Sequence, residues 1–342
     1  MTSIISNGLV ERGYEVHIIV SKSRELGYPI NDKIKIHFVS APVNKTSEEL
    51  DDFLKNLRNE VISISPDVMV GVVHFGYYHL WLATKGLGIP IVASDHNNFH
   101  KDISKKIHNI RFYYYDFADT TVVLTKNDQE YMKDFLHNMW VINNPLSFPI
   151  LEEEVKKEKT ILCGGRLDVW DTKGIDLIIK IWAMIADKYP DWTLKIAGGG
   201  KEDNLEYLTG LVKEEGIEDS VEFLGFREDI QDVMRRSSIF TLSSREEGFP
   251  CVLLEAMSQG CAPVAFEIYG NIREIITDGM DGFLIPDGHL EQFAEKLEIL
   301  INNEEIRKTF RENARESLKR FSPEKIIDQW EEMLINVVNK RK

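Results

Sequence analysis

The sequence predicts an α/β protein with two parallel-sheet domains. From residue 160 onward, short apolar strands alternate regularly with helices, which is the pattern of a parallel sheet with crossover helices. A less regular alternation comes before it, and Asn144-Pro145 marks a linker between the two. At 342 residues, the chain is long enough to build two cores. We therefore expect one domain over residues 1–144, a second over 145–321 and a final helix over 322–342.

The elements of the first domain follow from hydrophobic periodicity. Helices are predicted where apolar residues recur every three or four positions, and strands where β-branched and apolar residues form short runs. In chain order, these patterns predict helix 3–12, strand 14–20, strand 35–39, helix 47–64, strand 67–73, helix 77–87, strand 89–93, strand 119–124, helix 126–135 and strand 140–142.

The second domain alternates more cleanly. The same criteria predict strands 160–163, 192–197, 220–224, 238–242, 262–266 and 282–285, and helices 174–188, 202–214, 228–236, 251–259, 271–277, 289–302 and 304–320. Ser322-Pro323 is a strong signal for the start of one more helix, because serine caps helices and proline suits their first turn.

The first domain departs from the usual plan at its start. A doubly wound domain normally opens with a strand and a glycine-rich turn before its first helix. Here a helix comes first, and the central strand is missing. Losing about five buried residues would remove roughly 10 kcal/mol, which rivals the stability of a whole domain. We therefore expect that Met1 is not the natural start, or that the chain is a truncated gene product.

Composition excludes several classes of protein. A formal net charge of −15 argues against non-specific binding to nucleic acid. The three cysteines lack the spacing of a disulfide framework or zinc site, so a reducing compartment fits. No apolar run approaches 18 residues, and the start lacks the basic and apolar regions of a signal peptide. We expect a cytoplasmic protein, with peripheral contact at the inner face of the plasma membrane as an option.

The stretch 238–260 is the predicted functional centre. It reads as a buried strand, a polar turn containing glycine and proline, and an apolar helix that ends at Gly260. Ligands of open α/β sheets bind outside such strand ends, and the free amides of a helix start suit a phosphate. Glu247 and Glu255 lie on either side of the turn.

The spacing of Glu247 and Glu255 argues against a glycosidase. Eight helical steps would rise about 12 Å, whereas paired hydrolytic carboxylates lie roughly 5–9.5 Å apart. We expect each glutamate to accept hydrogen bonds from hydroxyls at a different part of one extended ligand. The alternative is structural, with one glutamate stabilised at the start of a helix and the other an ordinary helical residue.

The same stretch carries a family resemblance. The string Glu247-Gly248-Phe249-Pro250, followed by Leu254-Glu255-Ala256-Met257 and Gly260, resembles the E-x7-E motif of retaining GT-B glycosyltransferases of family 4. The resemblance extends over nearly the whole chain and is most specific over 160–290. It implies a GT-B fold, in which two Rossmann-like domains face a cleft and the last helix packs back towards the first domain.

The resemblance also implies a donor site in the second domain. Arg166 and Lys173 resemble the cations that hold the donor diphosphate, where fixed positive charge stabilises the departing group. Glu255 resembles the residue that accepts from the ribose hydroxyls, and Glu247 the one at the donor sugar. Gly248, Phe249 and Pro250 would lie beside Glu247, while Gly225, Phe226 and Arg227 would lie at the base. The alternative for Arg166 and Lys173 is a pair of surface salt bridges.

Two further positions are less specific. His96 follows the strand over 89–93, and the family's histidine after this strand lies near the donor sugar and acceptor. We therefore include His96 among the catalytic candidates, together with Glu247, Arg166 and Lys173; a capping or solvated histidine is the alternative. Glu274 lies where the family usually reads Gly-Pro-x-Glu, but the sequence here is Gly-Asn-Ile-Arg-Glu, so helix-cap support is an equal explanation.

Residues 100–115 are basic and then aromatic. Lys101, Lys105, Lys106, His108 and Arg111 recur at mostly helical spacing. This pattern fits a solvated helix face. It also fits a patch that docks on anionic lipid or on a phosphate-bearing lipid acceptor.

The resemblance implies a hexosyl-type glycosyltransferase that moves a sugar, with retention, from a nucleotide-diphosphate donor to a glycan or lipid-linked acceptor. A role in bacterial surface polysaccharide synthesis is expected. A UDP-sugar is favoured over a GDP-sugar, and no metal or other cofactor is expected. One alternative is an inactive truncated homologue that binds a donor or a partner; another is a nucleotide-sugar epimerase.

Overall fold

The computed structural model describes residues 1–20, 27–42, 46–100 and 104–341. The chain divides into two compact units. Unit 1 contains Met1–Pro145 and Phe321–Lys342, and unit 2 contains Leu146–Arg320. Every strand pair in both units is parallel, which confirms the predicted parallel α/β fold.

Unit 1 contains two parallel sheets flanked by helices. Strand β1 pairs only with β2, and a separate sheet has the order β3-β4-β5-β6 in the described part of the chain. The bounds are α1 (Thr2–Glu11), β1 (His17–Val20), β2 (Lys35–Phe38), α2 (Ser47–Ile64), β3 (Met69–Val72), α3 (Val73–Thr84), β4 (Ile91–Ser94), α4 (Lys105–Asn109), β5 (Thr120–Val123), α5 (Lys126–Met132) and β6 (Met139–Val141).

Alternate residues of β4 show how the larger sheet is covered. Ile91 and Ala93 pack in a core with α2 and α3, whereas Val92 packs in a second core with residues of α1 and of the last helix. Helices therefore cover both faces of this sheet, as in a doubly wound domain.

Unit 2 is a single six-stranded sheet with the order β12-β11-β10-β7-β8-β9. Strand β10 is buried along its whole length, as a central parallel strand should be. The bounds are β7 (Glu158–Gly164), α6 (Ile175–Ala183), β8 (Thr193–Ala197), α7 (Glu202–Glu214), β9 (Val221–Gly225), α8 (Ile230–Arg236), β10 (Ser237–Leu242), α9 (Cys251–Ser258), β11 (Ala262–Glu267), β12 (Phe283–Pro286), α10 (Leu290–Asn302) and α11 (Glu304–Ser317).

The last helix, α12 (Pro323–Asn339), belongs to unit 1. Ser322 caps it, since its side chain accepts from the Lys325 N–H. Its apolar face packs against α1, with Trp330 only 4% exposed. Arg12, which directly follows α1, forms ion pairs of 2.5 Å with Asp328 and with Glu331 of α12.

Several predicted elements differ from the observed ones. The helix predicted over 271–277 is wrong, because only the 3₁₀ turn Ile272–Glu274 forms there. The helix predicted over 174–188 ends at Ala183 and is followed by a 3₁₀ turn, Ala186–Lys188. Helix α3 starts directly after β3 at Val73, whose φ is +54°, so four residues that the sequence assigns to a strand end or loop become helical. In the described ranges, no helix is both long and apolar enough to cross a bilayer.

We expect Trp330→Ala to destabilise unit 1 by about 3–5 kcal/mol, because it leaves a cavity between α12 and α1. Urea denaturation followed by circular dichroism measures this loss. Glu332→Ala is the matched control on the exposed face of α12 and should change the free energy of unfolding by less than about 0.5 kcal/mol. Equal effects of the two variants would contradict the packing described here.

Candidate functional site

In unit 2, three loops at the carboxyl ends of strands approach one another too closely for side chains. A Cβ added to Gly174 would lie 1.8 Å from the Ser243 carbonyl oxygen, and Gly174 has a φ of +61°. A Cβ added to Gly198 would lie 1.8 Å from the Gly165 carbonyl oxygen. The loops after β7, β8 and β10 therefore meet at one edge of the sheet, where ligands of open α/β folds bind.

A partly buried ion pair joins two of these loops. Lys173 Nζ lies 2.7 Å from Glu247 Oε1, and the same oxygen accepts from Ser244 Oγ at 2.7 Å. Glu247 is only 8% exposed. Such a carboxylate requires a cation or hydrogen-bond donors to compensate for lost hydration, and it has both. From the sequence, Lys173 is expected at the diphosphate and Glu247 at the sugar, and their pairing was not predicted.

Asn271 supports the backbone beside Glu247, and sequence reasoning missed it. Its side chain is fully buried and donates from Nδ2 to the Gly248 carbonyl oxygen at 2.9 Å. The side-chain amide thus fixes the turn that leads through Phe249 and Pro250 into α9.

Arg245 ties the loop after β10 to the start of α6. Its guanidinium forms a bidentate pair with Asp176, with both distances 2.7 Å. The Arg245 N–H also donates to the Thr172 carbonyl oxygen at 2.9 Å. These contacts hold the segment on which Lys173 and Gly174 lie.

Glu255 lies inside α9, whereas Glu247 lies four residues before this helix begins. The 12 Å rise calculated for eight helical steps is therefore wrong for this pair, because only the second half of the spacing is helical. Glu255 is partly buried, and burial raises the pKa of its carboxyl group above the usual range despite a hydrogen bond with Ser147.

The remaining unit 2 candidates lie in exposed positions. Arg166 is exposed in the loop after β7. At the end of β9, Gly225 adopts a φ of +65° and Phe226 is 78% exposed. A Cβ on Gly199 would be 3.3 Å from the Phe226 Cβ, so Phe226 lies next to the glycine-rich loop after β8. Arg227 pairs with Asp229 at 2.6 Å.

In unit 1, His96 follows the carboxyl end of β4. Its Nε2 lies 2.9 Å from Ser94 Oγ. Desolvation lowers the pKa of His96 to about 4, although Asp95 and Asn144 act in the opposite direction. The imidazole is therefore neutral at physiological pH.

A buried ionic network holds the loop that carries His96. Asp95 is fully buried and accepts from Arg111 Nε at 2.8 Å and from the Tyr115 hydroxyl at 2.9 Å. Arg111 also donates to the Asn98 carbonyl oxygen at 2.8 Å. Arg111 is 1% exposed, so its predicted place on a basic surface patch is wrong.

His74 is the second residue of α3 and lies at the same sheet edge, because β3 and β4 are adjacent parallel strands. Its Nδ1 is buried, with no hydrogen-bond partner in the described chain. Burial lowers the pKa of this histidine, partly offset by Asp95. The edge thus presents a second neutral imidazole.

The rest of the 100–115 stretch forms an exposed basic and aromatic surface. Lys105 and Lys106 are exposed at the start of α4, and Tyr113 is 61% exposed. Phe117, just beyond the stretch, is 60% exposed. Lys101 lies outside the described residues.

Sequence comparison gives the family. The family model described as "Glycosyl transferases group 1" matches residues 150–317, and the model described as "Glycosyltransferase Family 4" matches residues 3–147. The chain belongs to glycosyltransferase family 4. It is therefore a transferase of class EC 2.4, and its predicted family and enzyme class are confirmed.

Three relatives match almost over their full length. The chain is 29% identical to an uncharacterized glycosyltransferase of Haemophilus influenzae, covering 96% of this chain and 94% of that protein. It is 26% identical to the amylovoran biosynthesis glycosyltransferase AmsD of Erwinia amylovora, covering 98% and 94%. A third relative, also 26% identical with the same coverage, is an α-1,4-N-acetyl-D-galactosaminyltransferase of Campylobacter jejuni, named for a diphospho-undecaprenol-linked glycan.

Solved structures share the GT-B fold. Sucrose-phosphate synthase from Thermosynechococcus elongatus superposes with a TM-score of 0.85 at 17% identity, covering 98% of this chain and 92% of that one. HepE of Anabaena, solved with UDP and glucose, gives 0.79 at 18% identity, covering 94% and 99%.

The low pKa of His96 should make stability depend on pH. The unfolded state takes up this proton below about pH 6.5, but the folded state does so only near pH 4, so folding free energy is lost as pH falls between these values. The loss should reach about 3 kcal/mol at pH 4. Urea denaturation gives the free energy of unfolding of the wild type and of His96→Gln across pH 4–7. The difference between the slopes of these two free energies against pH measures the loss.

The His96→Gln variant lacks the imidazole and should show a flatter pH profile over this range. Proton NMR of the His96 ring in the native protein gives an independent check. A His96 ring that titrates near pH 6.5 would contradict the assignment of a desolvated neutral imidazole. So would parallel profiles of unfolding free energy against pH for the wild type and His96→Gln.

Proposed function

We propose that the chain is a retaining glycosyltransferase that moves a sugar from a UDP-sugar to a glycan or lipid-linked acceptor in bacterial surface polysaccharide synthesis. The Lys173–Glu247 ion pair at the carboxyl edge of the unit 2 sheet carries this proposal. It places a cation and a carboxylate side by side, which suits a ligand that joins a phosphate to a polyhydroxylated ring.

The diphosphate is assigned to Lys173, Arg166 and the start of α6. Lys173 Nζ is held in place by Glu247, and a Cβ on Gly165, next to Arg166, would lie 3.1 Å from the Lys173 side chain. When the glycosidic C–O bond breaks, its electron pair goes to the departing phosphate oxygen. Cations already fixed at this position stabilise the new charge without reorganising.

Glu247 is assigned to the donor sugar. In the described part of the chain, Lys173 and Ser244 both donate to its Oε1. The second carboxylate oxygen can therefore accept from a sugar hydroxyl while the ion pair stays intact. Asn271, through Gly248, would keep this oxygen in position.

Glu255 and Phe226 are assigned to the nucleoside. A partly buried carboxylate on the first turns of α9 suits the two ribose hydroxyls, which donate to it. The exposed Phe226 ring offers a flat surface for the base beside Gly225 and Arg227. The UDP in the HepE structure, a protein of the same fold, supports the choice of uridine.

The transfer itself needs no protein nucleophile in this proposal. The acceptor hydroxyl attacks the anomeric carbon on the face from which the diphosphate leaves, through an oxocarbenium-like transition state. The departing phosphate oxygen takes the hydroxyl proton, so the new glycosidic bond replaces the old one with the same configuration. The neutral His96 ring would act as a hydrogen-bond partner near the reacting sugar. No metal takes part.

The acceptor is proposed to be lipid-linked. The Campylobacter jejuni relative is named for a glycan on diphospho-undecaprenol, and AmsD for amylovoran biosynthesis. The exposed Lys105, Lys106, Tyr113 and Phe117 would contact an anionic membrane, with the lysines at phosphates and the rings at the interface. The relatives do not favour an inactive homologue.

Calorimetry with UDP-, GDP- and ADP-sugars tests the donor assignment. We expect saturable binding of a UDP-sugar, weakened about 10–100-fold by Glu255→Ala, because the ribose loses charge-assisted hydrogen bonds. Glu312→Ala, an exposed glutamate on α11, should bind as the wild type does. A cooperatively folded protein that binds none of these nucleotide sugars would contradict the proposal.

Lys173→Gln tests the role of the cation. We expect kcat/KM to fall about 10²–10³-fold, because charge on the leaving diphosphate loses a fixed partner. Lys180→Gln, on the exposed side of α6, is the matched control and should retain full activity. Product analysis by NMR should show the donor's anomeric configuration retained; inversion would rule out the same-face mechanism.

A further inference from the structure

A cluster of cations lies at the amino edge of the unit 2 sheet, opposite the edge that carries the Lys173–Glu247 pair. Lys157 comes directly before β7, Arg235 lies in the last turn of α8 before β10, and Arg311 reaches from α11 to the turn before β11. The strands β7, β10 and β11 are consecutive neighbours in the sheet. We call Lys157, Arg235 and Arg311 the amino-edge cluster.

Two of these cations contact the end of α9. Lys157 Nζ donates to the Gln259 carbonyl oxygen at 2.7 Å, and Arg311 Nε donates to the Gly260 carbonyl oxygen at 3.3 Å. Because these carbonyl groups belong to consecutive residues, the two side chains converge on one turn. Cations commonly bind the last carbonyl groups of a helix, so capping of α9 accounts for one donor of each side chain.

The positive charges of the cluster act on one another. Burial lowers the pKa of Lys157 to about 8, and the charges of Arg311 and Arg235 act in the same direction. A charge shifts a neighbouring pKa in this way only at short range. The Lys157 ammonium group is therefore close to both guanidinium groups, and an anion bound among them would offset their repulsion.

The carboxylates nearby do not neutralise the cluster. Glu153 lies 3.6 Å from Arg235 Nη2, which is longer than a hydrogen bond, and its side chain is 81% exposed. Glu158 follows Lys157 in the chain but lies 3.7 Å from Lys195 instead. Within the described ranges, no carboxylate oxygen is within hydrogen-bond distance of a nitrogen of the cluster. Three cations thus face one exposed carboxylate.

Most N–H donors of the cluster have no protein partner. Arg235 Nε is buried and makes no hydrogen bond within the described chain. A lysine has three donors and an arginine five, and the contacts with the end of α9 use one donor of Lys157 and one of Arg311. Buried donors are rarely left unpaired in folded proteins, and a bound water or ion often satisfies them.

Helix α11 adds further positive charge beside the cluster. Arg307, Arg311 and Arg315 recur every four residues and therefore share one side of the helix, although like charges at this spacing destabilise it. Arg307 caps α10 by donating to the Ile301 carbonyl oxygen at 3.1 Å. Arg315 Nε, by contrast, is buried without a hydrogen-bond partner in the part of the chain that the structure describes. It offers another donor one helical turn from Arg311.

We propose that the amino-edge cluster binds a phosphate group that carries two negative charges, either as inorganic phosphate or as a phosphate monoester. Arginine N–H groups match phosphate oxygens in pairs, and lysine supplies a compact charge. A phosphate can accept from all three side chains at once, because its oxygens point in different directions. A single carboxylate offers two oxygens and one charge, which is too little for three cations.

This site is separate from the candidate reaction site and does not depend on the proposed function. Lys157 precedes β7, whereas Lys173 lies in the loop that follows it, so the two sites occupy opposite edges of the same sheet. Helix α9 connects them, since it carries Glu255 and ends at the turn that Lys157 and Arg311 hold. A phosphate at the cluster would therefore leave Lys173 accessible.

The test is a titration of the full, ¹⁵N-labelled chain with potassium phosphate at near-neutral pH, compared with potassium chloride at equal ionic strength. NMR follows the arginine Nε–H signals. We expect saturable shifts for Arg235 and Arg311, with half-saturation near or below about 1 mM. The Arg236 signal should shift far less, because this exposed arginine faces Glu158. The same shifts should persist in Lys173→Gln, which removes a cation from the other edge.

Two variants identify the side chains that bind. Arg311→Gln should weaken phosphate binding about 10-fold or more, because a charge-assisted contact is lost. Lys308→Gln removes an equal charge from the exposed side of α11 and should bind phosphate as the wild type does. Arg235→Gln should also weaken binding, and it leaves the capping of α9 intact. Shifts that do not saturate, or binding that both arginine variants retain in full, would overturn the proposal.

A second arm distinguishes a free phosphate from a lipid headgroup. Sedimentation is measured with phosphatidylcholine vesicles that contain phosphatidic acid, which presents a phosphate monoester. Binding to these vesicles that Arg311→Gln abolishes and Lys308→Gln retains would identify the lipid as the source. Saturable binding of inorganic phosphate without vesicle binding would identify a small anion. Absence of both would overturn the proposal and leave the capping of α9 as the role of the cluster.

Discussion

The Lys173–Glu247 ion pair is the interaction on which the candidate site depends. A carboxylate that is almost fully buried cannot stay ionised without compensation, and its partner here lies 74 residues away in the chain. The pair can form only if the loops after β7 and β10 come together. The glycines at 165 and 174 allow this approach, Arg245 fixes one side of it and Asn271 the other.

Unit 1 also has a buried carboxylate at the carboxyl edge of its sheet, and this carboxylate needs hydrogen-bond donors. Asp95 is completely buried, and Arg111 and Tyr115 supply its hydrogen bonds from the π-helical and 3₁₀ segments that follow α4. These hydrogen bonds hold the loop around His96 in place and compensate the charge of Asp95. A desolvated imidazole next to a neutralised carboxylate gives this edge hydrogen-bonding groups with little net charge, in contrast to the ionic edge of unit 2.

The fold could be predicted from the sequence because buried parallel strands, such as β10, are continuous apolar runs. Residue pattern failed where side chains interact over long separations. Arg111 has the spacing of a surface cation, and only the position of Asp95 in space makes it internal. Ile272, Ile275 and Ile276 mimic a helix because the core buries all three, although the chain there forms only a 3₁₀ turn. Nothing local predicts that Asn271 reaches Gly248.

The place of α12 has a consequence for how the protein is made. Unit 1 draws its core from both ends of the described chain, whereas unit 2 is continuous. Domains generally fold as units while the ribosome extends the chain. Unit 2 can therefore fold during translation, but unit 1 cannot bury Ile5 or Val122 until Trp330 has emerged. During synthesis, the apolar face of the unit 1 sheet therefore stays exposed until α12 covers it. A chaperone is most needed during that interval.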